Sequence, residues 1–205
     1  MRPLSYLSLT GLLFIALISC YGPQYEPVAG DILFQDLESD QTVAIKLATG
    51  SEWTHCGIVF EHQGEFFVYE AVGPVIATPI DEWIAQGVDH HFVAKRMGDP
   101  GQFLTKGNLE EMKRVVSRHL GKEYDFVFNW SDRKFYCSEL VWKTYHVGYG
   151  LKLCELSQLR EYDLSNDVVK EMMAERYGDD IPLDEPVVAP SDIFASEHLY
   201  TVFER

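Results

Sequence analysis

Apolar and polar positions change period several times along this chain, and each change marks an element. Residues 32–34 are a short apolar run opened by Gly30-Asp31 and read as a strand. Over 40–48, Val43, Ala44 and Leu47 fall at helical spacing, and Gly50 stops the helix. Residues 55–60 and 66–71 read as two strands joined by a turn at Glu61-His62-Gln63-Gly64. A brief strand at 75–78, a helical turn at 81–85 and a strand at 92–97 follow. Asn108 with Glu111 three residues later has the form of a capping box, which predicts a helix over 109–120 ending before Gly121. Further helices are predicted from Cys137 to Gly148, and from Ser165-Asn166-Asp167 to Tyr177, stopped by Gly178. Residues 179–190, with three prolines, read as loop, and 199–203 as a last strand. No internal repeat or low-complexity segment interrupts the series. Segregated strands and helices predict one α+β domain over residues 30–205, built on an antiparallel sheet.

The first residues follow another pattern. Arg2 gives a short basic start, and residues 12–18 form an apolar run too short to span a bilayer. Residues 1–19 therefore read as a secretory signal. The run ends in Leu17-Ile18-Ser19-Cys20, which resembles a bacterial lipobox, whose cysteine becomes the new N-terminus and carries acyl chains. A plain signal cleaved nearby, or a single signal anchor, is the alternative. Lipidation of Cys20 would anchor the chain to a membrane facing the periplasm; the plain signal would leave it soluble there. Residues 20–29, with two prolines and no period, read as a tether.

A chain of 205 residues has room for one domain with a sizeable core. Its net charge of −15 argues against gripping nucleic acid through phosphates, and against binding an anionic membrane by charge alone. If Cys20 is acylated, Cys56, Cys137 and Cys154 remain, so at least one thiol is unpaired. None has the C-x-x-C spacing of a zinc or redox site. His90 and His91 are adjacent and face opposite ways on a strand, which makes a poor pair of metal ligands.

The hairpin brings chemistry into view. A symmetric turn within 61–64 sets His55 opposite Glu70, Gly57 opposite Val68 and Val59 opposite Phe66. Opposed residues have Cβ atoms about 4.5–5.5 Å apart on one face, so a carboxylate would stand beside an imidazole and fix its tautomer. A three-residue turn would break the pairing. By alternation Cys56 points the other way and reads as a small buried hydrophobe. Cys137 opens a helix whose face carries Leu140, Val141, Thr144 and Tyr145, placing its sulfur at unpaired N–H groups and the positive end of the dipole. On that evidence alone, a nucleophile and a buried structural cysteine are both open. Cys154 reads as structural. Tyr124 could line a substrate cleft or simply pack.

At these residues the chain resembles a known family. Gly30-Asp31-Ile32-Leu33-Phe34 and Thr54-His55-Cys56-Gly57-Ile58-Val59 look like the Gly-Asp and His-x-Gly-Ile strands of NlpC-type papain-like hydrolases. In most of that superfamily the cysteine helix comes first; here Tyr136-Cys137-Ser138-Glu139-Leu140-Val141-Trp142 comes after the strands. That order resembles the circularly permuted branch, the YaeF/YiiX amidases (YiiX/YebB-like). The likeness extends through Tyr69-Glu70-Ala71-Val72-Gly73-Pro74-Val75, Leu120-Gly121-Lys122-Glu123-Tyr124-Asp125-Phe126, Phe128-Asn129-Trp130-Ser131-Asp132 and Asp163-Leu164-Ser165-Asn166, over roughly residues 30–200. It implies a permuted papain-like fold with Cys137, His55 and Glu70 as catalytic residues. Cys20 departs from the ordinary cleaved signal expected of such a relative, which bears on location and not on chemistry.

The expectation is thus a cofactor-free, metal-free cysteine amidase or peptidase of the cell envelope, acting on an amide in a peptide or cell-wall fragment. A thioesterase or acyltransferase on lipid acyl groups keeps the same triad. A non-catalytic envelope binding module and a metal-binding protein are the rivals from other classes.

Overall fold

Apolar side chains on both parities of successive strands dictate a sheet buried on two faces. Leu33, Val59, Val68, Phe92 and Ala94 cluster on one side; Ile32, Phe34, Ile58, Phe60 and Tyr69 belong to the core on the other. The computed structural model describes residues 24–39, 41–98 and 104–205. Cys20, the signal segment and the first part of the tether lie outside these residues.

The described chain runs β1 (Ile32–Leu37), α1 (Thr42–Thr49), β2 (His55–His62), β3 (Glu65–Ala71), β4 (Val75–Pro79), α2 (Ile80–Gln86) and β5 (Gly87–Met97). It continues through α3 (Lys106–Ser117), α4 (Cys137–Tyr149), β6 (Ser157–Gln158), a 3-10 turn (Leu159–Glu161), α5 (Asp167–Tyr177), β7 (Pro186–Val187), α6 (Pro190–Phe194) and β8 (Leu199–Glu204). Among the described residues the main sheet has six strands in the order β4-β3-β2-β1-β5-β8, each pair antiparallel. This is the α+β architecture expected, with the predicted strands and helices in place.

Three local differences have physical causes. The β2–β3 turn is Gln63-Gly64, both at positive φ (56° and 87°), the geometry that suits a two-residue hairpin. It pairs Ile58 with Tyr69, Val59 with Val68 and His62 with Glu65, two residues away from the predicted register. A slip of two, unlike a slip of one, keeps every side chain on its face. Next, α3 is capped by Thr105, whose side chain accepts from the Asn108 N–H, and Glu111 pairs with Arg114 instead of closing a capping box. Finally, residues 24–29 have no regular structure but are anchored. The buried Asp31 carboxylate accepts from the Tyr25 hydroxyl (2.6 Å), the Val28 N–H (3.0 Å) and the Arg96 guanidinium (2.6 and 2.9 Å). The Tyr25 ring packs on Phe92 and Phe203.

Helices α3 and α4 cover one face of the sheet with Met112, Val116, Leu140, Val141 and Tyr145. They cross at Gly148, where a Cβ would stand 2.6 Å from the Met112 Cα. Trp83 of α2 covers part of the other face. A third cluster (Ala44, Leu159, Val169, Met173 and Val187) joins α1, α5 and β7.

Candidate active site

Helix α4 begins at Cys137, after Tyr136 in extended conformation (φ −99°, ψ 165°). No side chain caps this end, so the first N–H groups are free to face a ligand. The buried faces of Leu140, Val141 and Tyr145 fix the helix, and the segment leading into α6 straps its start. Ser138 Oγ donates to the Val188 carbonyl (2.7 Å), and the Val188 N–H donates to the Tyr136 hydroxyl (3.2 Å). Two residues past Cys137, Glu139 is fully buried with Lys143 Nζ 2.9 Å from its Oε1. Burial pushes its carboxyl up to about 8 against the pull of that ammonium.

His55 and Glu70 meet across the hairpin. Continuing the observed register by one pair sets Gly57, not His55, opposite Glu70, so the contact is diagonal. Both side chains are buried, with His55 Nε2 2.6 Å from Glu70 Oε2. Gly57 makes the diagonal open: a Cβ there would stand 2.4 Å from Val68 Cγ1 and 3.4 Å from the Glu70 Cβ. Two further donors hold the carboxylate, Thr78 Oγ1 at 2.5 Å and Trp83 Nε1 at 3.0 Å. The Trp83 ring also stacks on the imidazole, 6.1 Å between centroids. Sequence reasoning missed both. The β3–β4 register, which sets Thr78 beside Val68, and the entry of α2 place them, and neither is written in a local motif.

The imidazole of His55 and the thiol of Cys137 lie close enough to shift each other's protonation. With Nε2 engaged by the carboxylate, Nδ1 is the nitrogen left for the sulfur. Burial pulls the imidazole down, but the bonds to Cys137 and Glu70 prevail and push it up to about 10. Cys137 moves the opposite way: hydrogen bonding from Cys56, then from His55, holds its thiol well below the ordinary range in spite of burial. The pair therefore favours thiolate and imidazolium. Cys56, fully buried, is pushed well above the ordinary range by that burial and by its bond to Cys137. The half-buried Cys154 is pushed up to about 12 by burial and by nearby acids. All three thiols are free.

A small pocket, partly open to solvent, has Cys137 and Tyr124 on its wall. Ile45, Leu159, Met172, Met173 and Val187 make the rest of that wall strongly apolar. Tyr124 is buried; its hydroxyl accepts from Gln41 Nε2 (3.2 Å), and Gln41 Oε1 accepts from Arg176 (2.8 Å). The structure thus brings Cys137, His55 and Glu70 together and sets Tyr124 on the same cavity. Among the described residues no three His, Cys, Asp or Glu side chains are arranged to hold a metal ion. A thiol at a helix N-terminus, paired with an imidazole that a carboxylate orients, can attack a carbonyl carbon and exchange protons with a leaving group.

Comparison with known proteins identifies the family and the fold. The profile of the family described as permuted papain-like amidase enzyme, YaeF/YiiX, C92 family, matches residues 26–203. The uncharacterized protein YiiX of Escherichia coli (strain K12) is 40% identical over 191 residues, 93% of each chain. A crystal structure described as metalloprotein yiiX from Escherichia coli O157:H7 is 41% identical, with a TM-score of 0.84 over 88% of this chain and 99% of that one.

Proposed function

The chain belongs to the permuted papain-like amidases of the YaeF/YiiX, C92 family, and on that footing we propose that it hydrolyses an amide bond with Cys137 as nucleophile, His55 as acid and base, and Glu70 as the group that orients His55. The observation that carries this reading is the buried His55–Glu70 pair, with Nε2 2.6 Å from Oε2, set where the imidazole and the thiol that opens α4 shift each other's protonation. The Cys137 thiolate attacks the carbonyl carbon, and the oxygen that becomes negative is held by N–H groups of the first turn. His55, protonated in the resting pair, gives its proton to the leaving nitrogen as the C–N bond breaks. It then takes a proton from water, whose attack on the acyl-enzyme returns the acid and frees the sulfur. Glu70 fixes the tautomer and stabilises the imidazolium, with Thr78 and Trp83 holding the carboxylate itself.

The thiolate–imidazolium pair predicts that iodoacetamide labels Cys137 before Cys56 and Cys154, and still does so near pH ~6, where an ordinary thiol is almost fully protonated. Mass spectrometry of the labelled peptide, and of acyl-Cys137 trapped with envelope extract, tests this. Faster labelling at either other cysteine would sink the assignment.

The apolar wall beside Cys137 favours a second reading, in which the acyl part of the substrate is a lipid chain and the bond is a thioester or ester. A charged cell-wall peptide would find few polar partners there. Assaying p-nitrophenyl acyl esters beside peptide amides separates the two. The relative's description as a metalloprotein is not carried over, because the described residues supply no ligand set, and no step runs through a metal. A location in the cell envelope, lipid-anchored through Cys20, rests on residues 1–20 and is tested by fractionation and by a Cys20→Ser variant.

A further inference from the structure

With 17 basic against 32 acidic residues, this chain has acids enough to match every cation it withdraws from water. Arg96 reaches Asp31, and Lys143 reaches Asp132 and Glu139. Arg176 departs from that pattern. It is half-buried, and among the described residues no carboxylate forms an ion pair with it; its neighbour Glu175 is exposed. One of its N–H groups donates to Gln41 Oε1 (2.8 Å), and the guanidinium lies over the Phe128 ring, 4.9 Å from the centroid. Nη1 is closed to solvent and has no hydrogen-bond partner. A guanidinium is all donor, so a half-buried one held by a neutral amide and an aromatic face still lacks an acceptor of opposite charge. Burial accordingly pulls Arg176 down from its ordinary range, whereas the bond to Asp31 raises Arg96.

Three contacts tie this cation to the pocket that holds the nucleophile. On α5, Met172 and Met173 lie one turn before Arg176, on the face over which its side chain leans, and both line the pocket. Phe128, against the guanidinium, is a wall residue held in left-handed backbone (φ 46°), a strained conformation of the kind found at ligand sites. The acid of that loop is already engaged, since Asp125 accepts from the Val127 and Asn129 N–H groups (3.0 Å each). Gln41, at the start of α1, links Arg176 to the Tyr124 hydroxyl (3.2 Å), and Tyr124 shares the pocket wall with Cys137. We propose that Arg176, with Gln41 and the face of Phe128, forms a subsite for a carboxylate on the substrate, the planar fork of the guanidinium taking its two oxygens. This rests on the reading of Cys137 as nucleophile and narrows its substrate to an acylated amino acid or short peptide with a free carboxylate. The acyl group lies along the apolar wall, and the unbranched methionine side chains yield to let the carboxylate reach the fork.

The test is protection of Cys137 from iodoacetamide, read by mass spectrometry on the full chain. The protecting compounds are hexanoyl-glycine and hexanoyl-glycyl-glycine, each as the free acid and as the C-terminal amide, so that the members of a pair differ only in the charge the subsite reads. On the parent protein, the acid of at least one pair should protect at a concentration about tenfold lower than its amide, the effect of one hydrogen-bonded contact between charged groups. In Arg176→Gln that preference should vanish, while Arg176→Lys, a point charge without the fork, should keep part of it. Equal protection by acid and amide at both lengths, protection by none of the four, or a preference that survives in Arg176→Gln overturns the proposal. If Arg176→Gln does not fold, as judged by circular dichroism, the comparison on the parent protein decides alone. Protection is read without turnover, so failure of the subsite leaves the amidase reading standing; that reading fails separately if Cys137→Ala keeps full activity.

Discussion

Glu139 sits two residues from the nucleophile, is buried, and titrates near 8, although Lys143 lies 2.9 Å away. Its folded-state value is raised above the unfolded value of about 4.3. The stability it contributes is therefore fully present below about pH 4.3 and is lost as pH rises through 8, because the unfolded chain releases this proton first. Glu139→Gln should flatten the decline of stability between about pH 5 and 8, followed by urea midpoints; equal slopes in both proteins would mean that Glu139 is already ionised in the fold. At this scale the sequence is legible where type and spacing coincide. A cysteine opening an amphipathic run and a histidine on a strand announce themselves. Thr78, Trp83, Gln41 and Arg176 do not, because each meets the site through the packing of a distant element. Cys56 was legible too, as a small buried side chain on the face opposite His55.

The β2–β3 hairpin shows how an element can be misplaced by two residues and still deliver the right neighbours. The left-handed slots at Gln63 and Gly64 centre the turn one position later than a symmetric reading of 61–64 does, and each facing partner moves by two. Parity survives, so His55 and Glu70 keep one face and meet on the diagonal, still within reach of long side chains. Gly57 stands where a side chain would close that diagonal. Gly57→Val should cost about 2 kcal/mol or more in stability from overpacking against Val68, and should remove Cys137 reactivity at about pH 6 by displacing Glu70 or His55. Parallel urea unfolding and alkylation measure both; a folded variant with unchanged low-pH reactivity would show that the diagonal has room. Helix α3 repeats the lesson in milder form. Thr105 and Asn108 both suit a cap, and the chain uses the earlier one.

For the molecule as a whole, the fold class and the order of elements were readable because each strand and helix carries its own period. The cavity was not, because α1, the loop holding Tyr124, α5 and the strap at 187–190 build it together. Nor was the anchoring of the entry segment, since proline-rich sequence without period says nothing of Tyr25 packed on Phe92 and Phe203. Asp31→Ala removes the acceptor of that anchor and leaves Arg96 without its carboxylate, and should cost about 2–3 kcal/mol in urea unfolding while opening the chain near Tyr25 to proteases. A variant as stable and as resistant as the parent would mean that the β1–β5 ladder alone seats the segment. The permuted order has a consequence for biosynthesis. The hairpin bearing His55 and Glu70 emerges from the ribosome first, Cys137 much later, and Val188, which straps the nucleophile helix, later still. A nascent chain holds an ordinary, protonated thiol until nearly all of its length is available, so the reactive sulfur comes into being only with the finished fold.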